Sequence, residues 1–355
     1  MRGLVLSGGS GTRLRPLTYT SAKQLIPVAN KPVLFYGLEA LAEAGIQETV
    51  IIVGETADEV RAAVGDGSAW GLRVEYVYQE KPLGLAHCVK LARPLLGGEP
   101  FLMYLGDNLL RDGVKQFAYE FEQAQPDAMI LLAQVEHPNR FGVVELDGAG
   151  KVVRLVEKPE VPPSNLALVG VYMFSDPVFE AVEAIKPSPR GELEITDALQ
   201  WLVDNGYAVM PHQVEGWWKD TGKPEDLLEA NRLVLDLLES DIRGKTENST
   251  LSGPVSLAEG AIVKDSTLRG PIIIGPKARI EDSFIGPYTA IGAGVVIQEA
   301  EVEHSILLDG CKVLGGADTR LDSCLVGRDA TVCRSADRPR ACRLVIGDQS
   351  RVELP

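Results

Sequence analysis

The feature that most constrains this chain is a period of 17 residues in its last third. Aliphatic residues recur at Leu257, Val263, Leu268, Ile274, Ile280, Ile285, Ile291, Ile297, Val302, Leu308 and Leu314, in steps of 6, 5, 6, 6, 5, 6, 6, 5, 6 and 6. Three steps complete one period. Leu257, Ile274, Ile291 and Leu308 therefore form one column, Val263, Ile280, Ile297 and Leu314 a second, and Leu268, Ile285 and Val302 a third. Three inward columns require a triangular coil whose sides are short strands, one side a residue shorter than the others. Gly275-Pro276, Gly286-Pro287 and Gly292 fall at the corners, where tight turns need such residues. The pattern extends to Ile346 and Val352, with a disturbed stretch around 332–343.

Such a coil resembles the left-handed parallel β-helix of hexapeptide-repeat proteins, and it is assigned to residues 250–355. Residues 1–240 read differently. Apolar β-type runs at Gly3–Ser7, Thr49–Val53, Val74–Tyr78, Phe101–Leu105 and Ala128–Val135 alternate with helical patterns at Val33–Ala44, Ala57–Val64, Leu85–Leu96 and Val114–Ala124. This β-α alternation gives an α/β fold with a mixed, mainly parallel, Rossmann-like sheet and helices on both faces. Ligands in such sheets bind beyond the carboxyl ends of the strands. Ser7–Arg13, Gln79–Gly84 and Gly106–Asn108 each follow a strand directly and share that rim. Short strands at Val143–Leu146, Val152–Val156, Leu168–Phe174 and Ala208–Gln213 surround helices at Pro177–Ile185 and Leu193–Asn205, a substrate lobe continuous with the same sheet. An amphipathic helix, Pro224–Leu238, closes it. At 355 residues, two domains of these sizes account for the chain.

Charge narrows the function. The net charge of −15 argues against a nucleic acid or an anionic membrane as partner. Yet Met1 to Leu38 contains no Asp or Glu while holding Arg2, Arg13, Arg15, Lys23 and Lys31, so this segment is suited to meeting an anion. Within it, Ser7-Gly8-Gly9-Ser10-Gly11-Thr12-Arg13 lets the backbone approach a polyphosphate and turn its N–H groups toward the oxygens. Leu14 stands where a dinucleotide-binding loop has its third glycine, and no Lys-Ser/Thr pair makes it a Walker A loop. No export signal opens the chain, and no apolar run approaches the ~20 residues that cross a bilayer. Five cysteines without a CxxC pair read as reduced thiols. A cytoplasmic location follows as the expectation.

Gly8-Gly9-Ser10-Gly11-Thr12-Arg13-Leu14-Arg15-Pro16-Leu17-Thr18 followed by Lys23 resembles the signature of the sugar nucleotidylyltransferase family. Gln79 and Gly84, Leu105-Gly106-Asp107-Asn108, Glu157-Lys158-Pro159, Gly191–Asp197 and Trp218-Lys219-Asp220-Thr221-Gly222 match its later landmarks in order, over about residues 1–240. Lys23-Gln24, the Gly191–Asp197 run and the coil together are most similar to the long type of glucose-1-phosphate thymidylyltransferase.

The resemblance implies a Mg²⁺-dependent transfer in which a hexose 1-phosphate attacks a nucleoside triphosphate, dTTP being favoured. It implies Asp107 and Asp220 as metal ligands, a carboxylate pair that suits Mg²⁺. Arg13 would hold the β- and γ-phosphates, Lys23 the α-phosphate and Lys158 the phosphate of the sugar. Leu6, Gly8, Gly9, Gly11, Thr12, Gln24, Gln79, Gly84 and Asp107 match nucleotide-binding positions, and Gln79 offers a donor and an acceptor to a pyrimidine edge. Gly142, Glu157, Val169 and Arg190 match positions on the sugar phosphate. Phe141 departs from the pattern, since many relatives carry Tyr before that glycine. An enzyme of the same class that uses UTP or accepts several sugars remains an alternative. The coil holds a single histidine, His304, and is read as structural and oligomerising rather than as an acyltransferase.

Overall fold

A computed structural model describes residues 1–9, 11–19, 21–316 and 318–334. The continuation of the repeat to Ile346 and Val352 lies outside the described residues. Two compact units form, one of Met1–Ser10, Ser21–Leu25 and Val33–Asp220, the other of Gly11–Thr20, Ile26–Pro32 and Thr221–Pro355.

The first unit is organised by one sheet that is apolar on both faces. Along the strand Arg2–Ser7, Leu4 and Leu6 face one core with Val50, Ile52 and Met103, while Val5 faces the other with Ile51, Val53, Leu102 and Tyr104. Alternate residues of a strand point to opposite faces, so a strand covered by helices on both sides must read as a continuous apolar run. The strands run Val152–Glu157, Gly142–Leu146, Leu166–Phe174, Phe101–Leu105, Arg2–Ser7, Glu48–Val53, Arg73–Tyr78, with Ala128–Gln134 joining Leu166–Phe174 to Val209–Gln213. The half built from Arg2–Ser7, Glu48–Val53, Arg73–Tyr78 and Phe101–Leu105 is parallel. The pairings around Leu166–Phe174 are antiparallel, while Val209–Gln213 runs parallel to Ala128–Gln134.

Register then builds the rim. Ser7 pairs with Val53, Val53 with Tyr78, and Leu6 with Leu105, so the chain leaves the parallel strands at one level. Two backbone bonds extend that edge, Gly106 N–H to Leu6 and Gln79 N–H to Val53. A separate antiparallel pair, Asn108–Leu110 with Trp218–Asp220, sets Asp220 opposite Asn108.

In the second unit, a small hairpin of Pro27–Val28 and Lys31–Pro32 and the helix Pro224–Leu235 attach to the coil through a buried amide. Asn231, 1% exposed, accepts from Ala29 N–H at 2.9 Å and donates to the carbonyl of Tyr288 at 2.9 Å. The coil is a left-handed β-helix whose three sides are parallel sheets. Its first strands, Asp241–Ile242, Lys245–Glu247 and Thr250–Ser252, precede the point at which the sequence pattern becomes legible. The residues Leu257, Ile274 and Ile291 stack as expected, as do Val263, Ile280 and Ile297, and Leu268, Ile285 and Val302.

Beyond these, the columns slip. Leu307 rather than Leu308 continues the first, and Val313 rather than Leu314 the second. The corner Glu303–Ser305 is one residue shorter than the corresponding Gly286–Thr289, so every later residue arrives one step early. The difference is more than recovered between Val313 and Leu321, where the chain takes eight steps instead of five. Corners also carry left-handed backbone at the same period, with φ of 47°, 47°, 47° and 50° at Asn248, Asp265, Asp282 and Glu299. Beside them runs a ladder parallel to the axis. Ser249 Oγ accepts from Ser266 N–H at 3.1 Å, Ser266 Oγ from Ser283 N–H at 3.1 Å, and Ser283 Oγ from Ala300 N–H at 3.2 Å. His304, at a corner, stacks on Tyr288 at 5.7 Å. Among the described residues, no helix is long and apolar enough to cross a membrane.

Candidate active site

A pocket of about 190 Å³ opens at the carboxyl ends of the parallel strands. It is lined by Leu6, Gly8, Gly9, Lys23, Gln24, Gln79, Gly84 and Asp107, each of which the sequence singles out. Gly84 is a steric requirement there, and Gly9 lies close against Lys23. A Cβ on Gly84, at φ 102°, would lie 2.3 Å from the carbonyl oxygen of Leu193, and one on Gly9 would lie 3.0 Å from the Lys23 side chain. The first contact exists because Leu193 is laced to this loop, donating to Leu83 O at 2.7 Å and accepting from Ala86 N–H at 3.0 Å. Gln24 is 1% exposed, and its Oε1 has no hydrogen-bond partner among the described residues. A buried acceptor without a donor is costly unless a ligand supplies one.

On one wall the Asp107 carboxylate meets the ammonium of Lys23 in an ion pair, with side chains 15% and 20% exposed. Burial alone would raise the Asp107 carboxyl. The charge and hydrogen bond of Lys23, with further bonds from its own backbone and from Asn108, hold it below the usual carboxylate value. Asn108 donates to Asp107 Oδ1 at 3.0 Å and is itself fixed, its Oδ1 accepting from Trp218 Nε1 at 2.6 Å and its carbonyl from the Tyr104 hydroxyl at 3.0 Å. Asp220 comes beside this group through the ladder opposite Asn108. Two carboxylates, Asp107 in the turn before Asn108–Leu110 and Asp220 on the facing strand, are the hard oxygen donors that could hold a divalent cation such as Mg²⁺.

A second cluster holds the residues expected on the sugar side. Glu157 receives Lys158 Nζ at 3.1 Å and Arg190 at 3.3 Å on Oε1, and the Thr196 hydroxyl at 2.7 Å on Oε2. Arg190 is also bound by Glu194 at 2.8 Å and by Glu192 at 3.4 Å, and Glu192 lines the first pocket. Although burial opposes it, hydrogen bonding and charge from Glu194, with Glu192 and Glu157, push the Arg190 guanidinium up. Gly142 is again obligatory, since a Cβ there would stand 2.9 Å from Thr196 Oγ1 and 3.1 Å from Glu157 Oε2. Lys158 adopts φ 42° immediately before Pro159, its N–H held by Phe141 O at 3.0 Å. A non-glycine residue in this region costs of order 1–3 kcal/mol and concentrates at functional positions. Phe141 packs edge-on against Trp218 at 5.3 Å. Val169 is buried in the core, where the ladder between Leu166–Phe174 and Ala128–Gln134 is interrupted between Leu168 and Tyr172.

Gly11, Thr12 and Arg13 belong to the second unit, where Gly11 caps a short 3-10 turn, Thr12–Leu14, at φ 62°. The residues assigned no role from sequence are Asn108, Glu194, Thr196 and Trp218. All four sit inside motifs already recognised; Asn108, Thr196 and Trp218 hold a neighbour by hydrogen bonds, and Glu194 holds Arg190 with its own charge.

Residues 2–236 match the family model described as nucleotidyl transferase. A glucose-1-phosphate thymidylyltransferase of Streptomyces griseus is 52% identical over 100% of this chain and 99% of that protein. The low-salt glycan biosynthesis nucleotidyltransferase Agl11 of Haloferax volcanii is 48% identical over the full length of both. A crystal structure of a Bacillus anthracis protein assigned as a glucose-1-phosphate thymidylyltransferase, in complex with sucrose, superposes with a TM-score of 0.63 at 34% identity, covering 68% of this chain and 98% of that one.

Proposed function

We propose that this chain, which belongs to the nucleotidyl transferase family and is an enzyme of that class, joins glucose 1-phosphate to the thymidylyl group of dTTP. A phosphate oxygen of the sugar phosphate attacks the α-phosphorus of dTTP. The bond from that phosphorus to the pyrophosphate oxygen breaks, giving dTDP-glucose and pyrophosphate. The attacking oxygen is ionised at neutral pH, so the reaction calls for charge neutralisation and alignment more than for a base.

Each charged group has a place in this scheme. Lys23, on the wall of the nucleotide pocket, faces the α-phosphate where negative charge builds. Lys158 holds the phosphate of the sugar, and Glu157 accepts from sugar hydroxyls, with Arg190, Gly142 and Val169 completing that side. Arg13 is assigned the departing β- and γ-phosphates, on its glycine-rich motif. Leu6, Gly8, Gly9, Gly11, Thr12, Gln24 and Gly84 bind the nucleotide, and Gln79 reads the base. The family generally works with a divalent metal. Here we assign Mg²⁺ to Asp107 and Asp220, where it would neutralise phosphate oxygens. Residues 1–240 form the catalytic domain and 250–355 a structural and oligomerising one, in a protein acting in the cytoplasm, where its substrates are.

The observation that carries the reading is the convergence of Lys23, Asp107, Gln24 and Gln79 on one pocket. Its test is pyrophosphate release with Mg²⁺, glucose 1-phosphate and each of dTTP, UTP, ATP, GTP and CTP. Preference for dTTP supports it. Equal use of UTP keeps the chemistry and removes the thymidylyl assignment, and no release with any of the five overturns the reading.

A further inference from the structure

Gln79 is held from behind by a side chain that the mechanism leaves without a task. Its Nε2 lies 2.9 Å from Nδ1 of His87, on the helix Leu85–Leu96, and 3.5 Å from the carbonyl oxygen of Gly84. A carbonyl can only accept, so the amide edge facing Gly84 is the NH₂ edge. The same edge faces His87, whose Nδ1 must then accept, leaving the ring proton on Nε2. Burial, with the nearby charge of Lys90, lowers the His87 imidazole from its ordinary value. That favours the neutral ring, the form that has an acceptor. With its N–H groups directed into the protein, Gln79 presents Oε1 to the pocket. A Cβ placed on Gly8, across the site, would lie 3.5 Å from that oxygen.

We propose that His87 is a positioning residue for the choice of nucleobase. By accepting from Gln79 it fixes the amide with Oε1 toward the base, and the site therefore takes a base with N–H at N3 and rejects one with a lone pair there. Uracil and thymine carry that N–H. Cytosine carries the lone pair, which would face Oε1 acceptor to acceptor. A side-chain amide has donor and acceptor ends of almost equal size, so without the 2.9 Å bond to His87 only the longer 3.5 Å contact with Gly84 O opposes its turning over to meet either kind of base. The inference rests on the assignment of Gln79 to the base.

Three proteins separate the two ideas by kcat/KM for dTTP, UTP and CTP. The wild type tests the base assignment: use of CTP as readily as dTTP would remove it, whatever the variants do. His87→Phe keeps a ring but has no acceptor, and the dTTP/CTP ratio is expected to fall about 10-fold or more, within the range by which polar edges discriminate. The change should come through KM for dTTP, with the dTTP/UTP ratio unmoved. His87→Asn, which restores an acceptor near Nδ1, should recover most of the ratio. Because the ratio is internal to one preparation, loss of folded protein cancels from it, and His87→Ala reads the same quantity where the phenyl ring is not accommodated. A wild-type ratio of dTTP to CTP that survives in both His87→Phe and His87→Ala overturns the proposal.

Discussion

The residues that decide this site are paired before any substrate arrives. Lys23 neutralises Asp107 and Lys158 neutralises Glu157, so two of the cations expected on phosphates already sit on carboxylates. Lys23→Met is expected to lower kcat about 10²–10³-fold, the loss typical of removing one group that meets developing charge. Retained dTTP binding by calorimetry would show that the pocket persists, and a kcat within threefold of wild type would remove Lys23 from the mechanism. Lys158→Met should instead raise KM for glucose 1-phosphate while leaving the Kd for dTTP unchanged. Thiols provide a check on burial. Cys88 and Cys311 are buried and burial pushes both up to about 12, whereas Cys333 is exposed. The thiolate is the reactive form, so iodoacetamide at neutral pH should modify Cys333 and spare Cys88 and Cys311 until the protein unfolds. Peptide mapping by mass spectrometry reads the outcome, and early labelling of Cys88 would contradict the packing around the pocket.

At the scale of elements, legibility followed burial and period. Ala57–Val64, Leu85–Leu96 and Phe101–Leu105 coincide with the expected segments because their apolar spacing is set by packing on a fixed sheet. The antiparallel partners of Leu166–Phe174 were readable as strands but not in their pairing, since register between distant segments leaves no local mark. The site divided in the same way. Charged residues of the motifs were legible one by one, whereas Asn108, Thr196 and Trp218 act through a partner that only folding brings near. Gly84 shows how an element fixes a site. Gly84→Ala would place a methyl on Leu193 O and force a residue other than glycine to φ 102°, so a lowered Tm and weakened dTTP binding are expected together. A variant of wild-type Tm would mean that the loop can move away from Leu193. In the coil, Ser266→Ala removes the acceptor for Ser283 N–H and the hydroxyl that donates to Lys264 O, and a loss of about 1–3 kcal/mol is expected from denaturant unfolding.

Across the whole molecule the two units obey different rules. The sheet of the first separates two cores and sets strands distant in sequence side by side, as Arg2–Ser7 lies between Glu48–Val53 and Phe101–Leu105. The coil is built from neighbours only, each side resting on the side one turn away. An insertion should therefore be tolerated in one place and not in another. Four residues added after Gly316, within the stretch where the chain already takes extra steps, should leave Tm within a few degrees. The same insertion after Ile273, within the strand Ile272–Ile274, should unfold the coil from that turn onward. Circular dichroism melts of the two proteins compare them directly, and equal tolerance would mean that the coil does not depend on its register. The short corner at Glu303–Ser305 shows that this latitude is already in use. The flat sides keep the count, and the corners work as expansion joints. A lineage can lengthen or trim this rod one vertex at a time without ever re-aiming the side chains that fill it.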